Sequence, residues 1–206
     1  EQGYQLNTHA IGDSAVRTML TIYSQYLEPA NDKRWRIEHA QVVHPDDQLL
    51  FGQYDIIPSV QPSHAIADKG WAKDRLGAER LPRAYTYQEL LAENGRLALG
   101  SDFPIAPVGP LWQFYTAVRR KDENGKPEGG VLPENALTRQ QALKGLTIWA
   151  AYANCEEDQK GSLEPSKFAD FVVLEQDIMQ VPIEEVLEAE VRRTVSGGDE
   201  VYRNQP

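Results

Sequence analysis

The sequence predicts an α/β protein built on a parallel sheet, as an open sheet or as part of a (β/α)₈ barrel. Three observations carry this. Four short extended segments alternate with amphipathic helical segments, and the connections between them suit βαβ crossovers rather than hairpins. Polar residues of metal-ligating type stand at the ends of three of those extended segments. The last fifth of the chain changes character and reads as a small β piece.

The elements follow in order. Tyr4 to His9 alternates and predicts a strand. Asp13 or Ser14 is placed to cap a helix, in which Val16, Met19, Leu20, Tyr23 and Leu27 recur at helical spacing until Pro29. Trp35 to His39 is a second strand. Pro45-Asp46-Asp47 is a favourable first helical turn, because proline is tolerated there and carboxylates suit the N-terminal dipole. Asp55 to Val60 is a third strand. Gln61 to Arg83 reads as a polar insertion with little periodicity, although it carries Trp71 and Leu76. Tyr87, Leu90 and Leu91 predict a helix closed by Asn94-Gly95 in the left-handed conformation. Arg96 to Gly100 is a fourth strand, and Leu111 to Val118 an amphipathic helix. Asp122 to Asn135 is a loop rich in Gly, Pro and charge. Thr138 to Gln141 has the form of a capping box, opening a helix that runs to about Ala153. Beyond Gly161, Phe171 to Leu174 is a strand, and Val191 to Arg203 a hairpin turning at Gly197-Gly198. This divides the chain into an α/β body, residues 1–160, and a β segment, residues 161–206.

Composition excludes several classes of function. The 206 residues carry a net charge of −10, which argues against nucleic acid or an anionic membrane as partner. A single cysteine, Cys155, excludes an internal disulfide and a paired-cysteine zinc site. No apolar run approaches the ~20 residues of a membrane span, and no signal peptide is visible, so the expected location is cytoplasmic. The chain opens on Glu1-Gln2-Gly3 rather than Met, so the expectation is that its true N-terminus is missing.

His9 closes the first strand, His39 the second, and Asp102 follows the fourth. In a parallel α/β fold these ends lie on one rim, where two imidazoles and a carboxylate can hold a zinc-like ion with one position open to water. The carboxylate can then take the water's proton. On spacing alone, a metal site and three separately satisfied polar residues are both open readings. His64, after the third strand, either faces substrate or is a plain loop histidine. His44, beside Pro45, reads as a capping or surface residue.

The ordered set His9-Ala-Ile-Gly-Asp13, Arg36-Ile-Glu-His39-Ala-Gln41, Ser59-Val-Gln-Pro62 and Gly100-Ser-Asp-Phe-Pro104 resembles the amidohydrolase superfamily. Within it, the pattern is similar to the metal-dependent hydrolase branch that includes N-substituted formamide deformylase. Gly161 to Leu174 resembles the stretch that returns such chains to a β-sandwich, with Ser166 where glycine is usual. The resemblance implies the C-terminal half, strands five to eight, of a distorted (β/α)₈ TIM barrel, plus a β-sandwich segment. It implies His9, His39 and Asp102 as metal ligands, Asp102 also as general base, and Gln61 and His64 as substrate contacts. The implied cofactor is a divalent metal, zinc foremost. The implied activity is hydrolysis of a non-peptide C–N bond, amide-like or cyclic, in a small-molecule substrate. A ring deaminase and a non-catalytic fragment are the alternatives.

The family's strand-one His-x-His pair is not in this sequence. A half-barrel also leaves an inner face, with Leu6, Ile37, Ile57, Val60 and Leu97 or Leu99 on it depending on register. The expected partner is therefore the missing N-terminal half or a second copy of the chain.

Overall fold

Register explains how the sheet is covered. The computed structural model describes residues 3–204. Strands β1 (Asn7–Ala10), β2 (Arg36–His39), β3 (Ile57–Val60) and β4 (Ala98–Leu99) form a parallel sheet in sequence order. Pairing places Thr8 beside Ile37 and Pro58, and Val60 beside Leu99, so these residues share a face. That face packs on helices α1 (Asp13–Tyr23), α2 (Pro45–Gln53), α5 (Tyr87–Asn94), α6 (Pro110–Arg119) and α7 (Arg139–Leu146), burying Ile37, Val60, Leu97 and Leu99 with Val16, Leu20, Phe51, Leu90 and Phe114.

The opposite face is polar over much of its area, with Asn7, His9, Arg36, Glu38 and Ser59. Its apolar residues, Ile57 and Ala98, are covered by Ala153 and Tyr152 of helix α8 (Ile148–Ala153). Arg34 and Arg96 stack on the two sides of that cover, at 4.1 Å and 4.0 Å from the Tyr152 ring centroid. The expectation of an apolar open inner face is therefore corrected. Of the residues named for it, Leu6 alone is exposed, and the others are buried within the chain itself.

Local structure departs from the sequence reading in three places. Gly12, not Asp13 or Ser14, is the N-cap of α1, and Asp13 is the first helical residue. The helix beginning at Thr138 keeps its capping box with Gln141 but breaks at Thr147 (φ −126°, ψ −97°), separating α7 from α8. Residues 61–83 are mostly helical, with α3 (Pro62–Ala67) and α4 (Ala72–Arg80) flanked by 3₁₀ turns. These helices are short, and α4 is interrupted at Gly77 (φ 71°), so no sustained apolar period appears in the sequence. The helix ending at Asn94 does close with Gly95 at φ 79°.

The tail forms an antiparallel sheet, β5 (Phe171–Leu174), β6 (Val191–Ser196) and β7 (Asp199–Arg203). Its hairpin turns at Gly197 and Gly198, both with positive φ (61° and 90°), as the two-residue primed turn requires. Between β5 and β6 the chain returns to the main core, where Val186 is fully buried and Arg139 donates to the carbonyls of Ile178 and Val181.

Candidate metal centre

The site lies where β1 to β4 end. His9 projects from β1 with its ring edge against His39, the centroids 4.5 Å apart. His39 is the last residue of β2. In a regular pleat its side chain would follow Ile37 into the helix-covered core. Instead His39 and Ala40 take left-handed backbones (φ 74° and 41°), which carry the imidazole out of the pleat toward His9. Asp102, just past β4, is also left-handed (φ 58°), a conformation aspartate tolerates better than most residues.

His64 comes from α3, which starts at Pro62 immediately after β3. Helix α3 is anchored on α6 by a buried pair. The Ser63 backbone N–H donates to Gln113 Oε1 at 3.2 Å, and Gln113 Nε2 donates to Ser63 Oγ at 3.0 Å. This sets the His64 ring 5.8 Å from that of His39, nearly parallel, with Nε2 3.8 Å from Asp102 Oδ2.

The ligand atoms of His39, His64 and Asp102 all lie within 4.8 Å of one another. His9 stands beside this trio and shares its cavity but is not part of it. Gln61, expected in contact with substrate, sits behind His39 with Oε1 2.8 Å from its Nδ1. His44 is the N-cap of α2, accepting the Asp46 backbone N–H.

His64 Nε2 is buried and has no hydrogen-bond partner among the described residues. Burial pushes this imidazole below its ordinary pKa, against the pull of Asp102. A neutral ring nitrogen and a carboxylate oxygen facing each other across 3.8 Å are both acceptors unless the nitrogen carries the proton, so the gap suits a cation. Two imidazoles and one carboxylate are also a donor set that zinc and similar divalent ions accept. The residues present therefore fit a divalent metal.

A cavity of about 1060 Å³ opens beside the trio. Its walls include Ile66, Trp71, Ile105 and Trp112, and the ion pair of Lys69 and Asp122 lies at its edge. Asp68 also faces it, accepting from Tyr85 Oη at 2.6 Å and Gln41 Nε2 at 3.0 Å. Sequence reasoning missed Ile66, Asp68, Lys69 and Trp71 because they come from the segment that reads as an aperiodic insertion, and Ile105 and Trp112 because only the fold brings the segment after β4 and the start of α6 to the same cavity.

Imidazoles and a carboxylate gathered beside a cavity at the strand ends of a parallel α/β sheet have the donor set and the placement of a metal site. The chain belongs to the amidohydrolase family, whose sequence profile matches residues 1–202. Protein LONG AFTER FAR-RED 3 of Arabidopsis thaliana is 39% identical over 206 residues, covering 98% of this chain and 35% of the relative. N-substituted formamide deformylase of Arthrobacter pascens is 27% identical over 201 residues, covering 95% and 36%. Among solved structures, an uncharacterized metal-dependent hydrolase from Pyrococcus horikoshii OT3 superposes with a TM-score of 0.77 at 30% identity, covering 88% of this chain and 36% of that one. The chain thus spans little more than a third of the length of the curated relatives it matches. Among the described residues, no helix is long and apolar enough to cross a membrane.

Proposed function

We propose that this chain supplies half of the active site of a metal-dependent amidohydrolase that cleaves a non-peptide C–N bond in an amide-like or cyclic amide substrate. The observation that carries the reading is the His39, His64 and Asp102 trio, with His64 Nε2 buried and unpartnered within it. His39, His64 and Asp102 would hold a divalent ion, zinc foremost, with His9 beside them to complete the set or hold a second ion. Such an ion polarises a carbonyl and makes water acidic enough to react near neutral pH.

The chain's own residues do the rest. Asp102, partly open to the cavity, takes a proton from the attacking water and returns it to the leaving nitrogen. Trp71, Trp112, Ile66 and Ile105 give an apolar wall for the substrate's carbon frame and limit water around it. In the same reading, β1 to β4 are strands five to eight of a (β/α)₈ barrel, and residues 161–206 are a segment of the accompanying β-sandwich. Support comes from the open outer edges of β1 and β4 among the described residues, and from the share of the relatives' length the chain spans. The rest of the barrel then comes from an N-terminal half or from a second copy.

The test is formate release from an N-substituted formamide by the assembled protein, before and after chelation. The expected result is loss of turnover on chelation and recovery with Zn²⁺. Turnover that survives exhaustive chelation contradicts the proposal, and turnover of a ring amine alone points instead to a deaminase.

A further inference from the structure

We infer that Gln61 is a positioning residue, which locks the His39 imidazole in its Nδ1–H tautomer and leaves Nε2 as the free ligand atom. Its consequence for metal rests on the reading above, but its geometry does not. Gln61 is only 6% exposed, and the cavity wall at this level is formed by His39, Ser63 and His64, with Gln61 behind them. Both ends of its amide are engaged. Oε1 lies 2.8 Å from His39 Nδ1, and Nε2 donates to the Ser59 carbonyl at 3.4 Å.

Those two partners fix the protons. The Ser59 carbonyl can only accept, so the amide NH₂ turns toward it and the amide oxygen toward His39. An amide oxygen can only accept, so His39 Nδ1 carries the hydrogen. In the neutral ring the lone pair is then on Nε2, the form a metal ligand needs.

The Gln61 backbone is held as firmly. Its carbonyl oxygen accepts from Tyr87 Oη at 3.1 Å and from the His64 N–H at 3.0 Å. One residue therefore ties the orientation of His39 to the start of the helix that carries His64. A substrate contact would need a polar atom that reaches the cavity, whereas Gln61 is buried and the cavity is lined at this level by His39, Ser63 and His64.

The test uses the 206-residue chain with ¹⁵N-labelled histidine. Long-range ¹H–¹⁵N spectra of the metal-free protein report the tautomer of each ring, and His39 is expected as Nδ1–H. Gln61→Met, similar in size but without the acceptor, should lose that signature and weaken Zn²⁺ binding by roughly 10–100-fold in calorimetry. Gln61→Glu should keep both, because a carboxylate also accepts from Nδ1–H. An Nε2–H tautomer in the wild-type protein overturns the inference without any variant. So does wild-type zinc affinity in a folded Gln61→Met. A wild-type chain with the Nδ1–H tautomer that takes up no zinc supports the positioning and overturns His39, His64 and Asp102 as an ion site that this chain holds by itself, while the chelation test of the assembled protein decides the hydrolase reading.

Discussion

At His39 the backbone departs from the strand so that the side chain can reach the site. Two successive non-glycine residues with positive φ are uncommon, and each costs on the order of 1–3 kcal/mol unless its surroundings hold it. Here the Gln61 hydrogen bond and the His9 contact hold the ring in place. The identity of His9, His39 and Asp102 as candidates was legible in the sequence, because all three sit at or just past strand ends. The role of His64 was not, because it depends on a helix beginning at Pro62 and on the Ser63–Gln113 anchor, neither of which is a local sequence signal. Asp102→Asn should lower kcat of the assembled enzyme by about 10²–10⁴-fold with an unchanged circular dichroism spectrum, since the amide cannot take a proton near neutral pH. Near-normal kcat in that variant contradicts the general-base assignment. Ser166 offers a test away from the site. It stands where the resemblance expects glycine and has φ 75°, so it bears a left-handed backbone without glycine's freedom. Relief of about 1–2 kcal/mol of strain, less about 0.5–1 kcal/mol for glycine's added unfolded-state entropy, predicts that Ser166→Gly stabilises the chain by up to about 1.5 kcal/mol. A lowered urea midpoint in Ser166→Gly contradicts that reading of the turn.

Elements were legible where local chemistry sets them. Proline opens α2, Thr138 and Gln141 box the start of α7, and Gly95 closes α5. They were illegible where tertiary contact decides, as in the short helices that wall the cavity and in the break between α7 and α8. Helix α5 yields a pH prediction. Burial pushes the Tyr87 hydroxyl up to about 12, against the influence of the buried Arg120, whose guanidinium lies 4.8 Å from the Tyr87 ring centroid. The unfolded chain ionises tyrosine near pH ~10, so above that pH the unfolded state binds fewer protons than the folded one. The stability contributed by neutral Tyr87 is therefore fully present below pH ~10 and falls as pH rises through about 12. Urea midpoints from pH 9 to 12 should decline, and the decline should be shallower in Tyr87→Phe. An equally steep decline in that variant would assign the effect to other groups.

Over the whole molecule, the register places most apolar residues of the sheet on its helix-covered face, and α8 covers Ile57 and Ala98 on the other, so the expected reason for association changes. What remains open is the outer edges of β1 and β4, and a tail sheet on which Phe171, Val172 and Val173 are exposed in succession, on both faces. Leu163, Phe168 and Val201 add to this exposed apolar surface. The proposed half-barrel predicts that light scattering at micromolar concentration finds a dimer or larger species. A stable monomer that unfolds cooperatively contradicts it. The central claim, that the strand ends hold a divalent ion, is tested most directly by crystals grown with zinc and measured across the zinc absorption edge. The account predicts an anomalous peak between His39, His64 and Asp102, at ligand distances of about 2.0–2.2 Å. A zinc-soaked crystal with no anomalous density at that trio, or with His64 and Asp102 bridged by water alone, would contradict it.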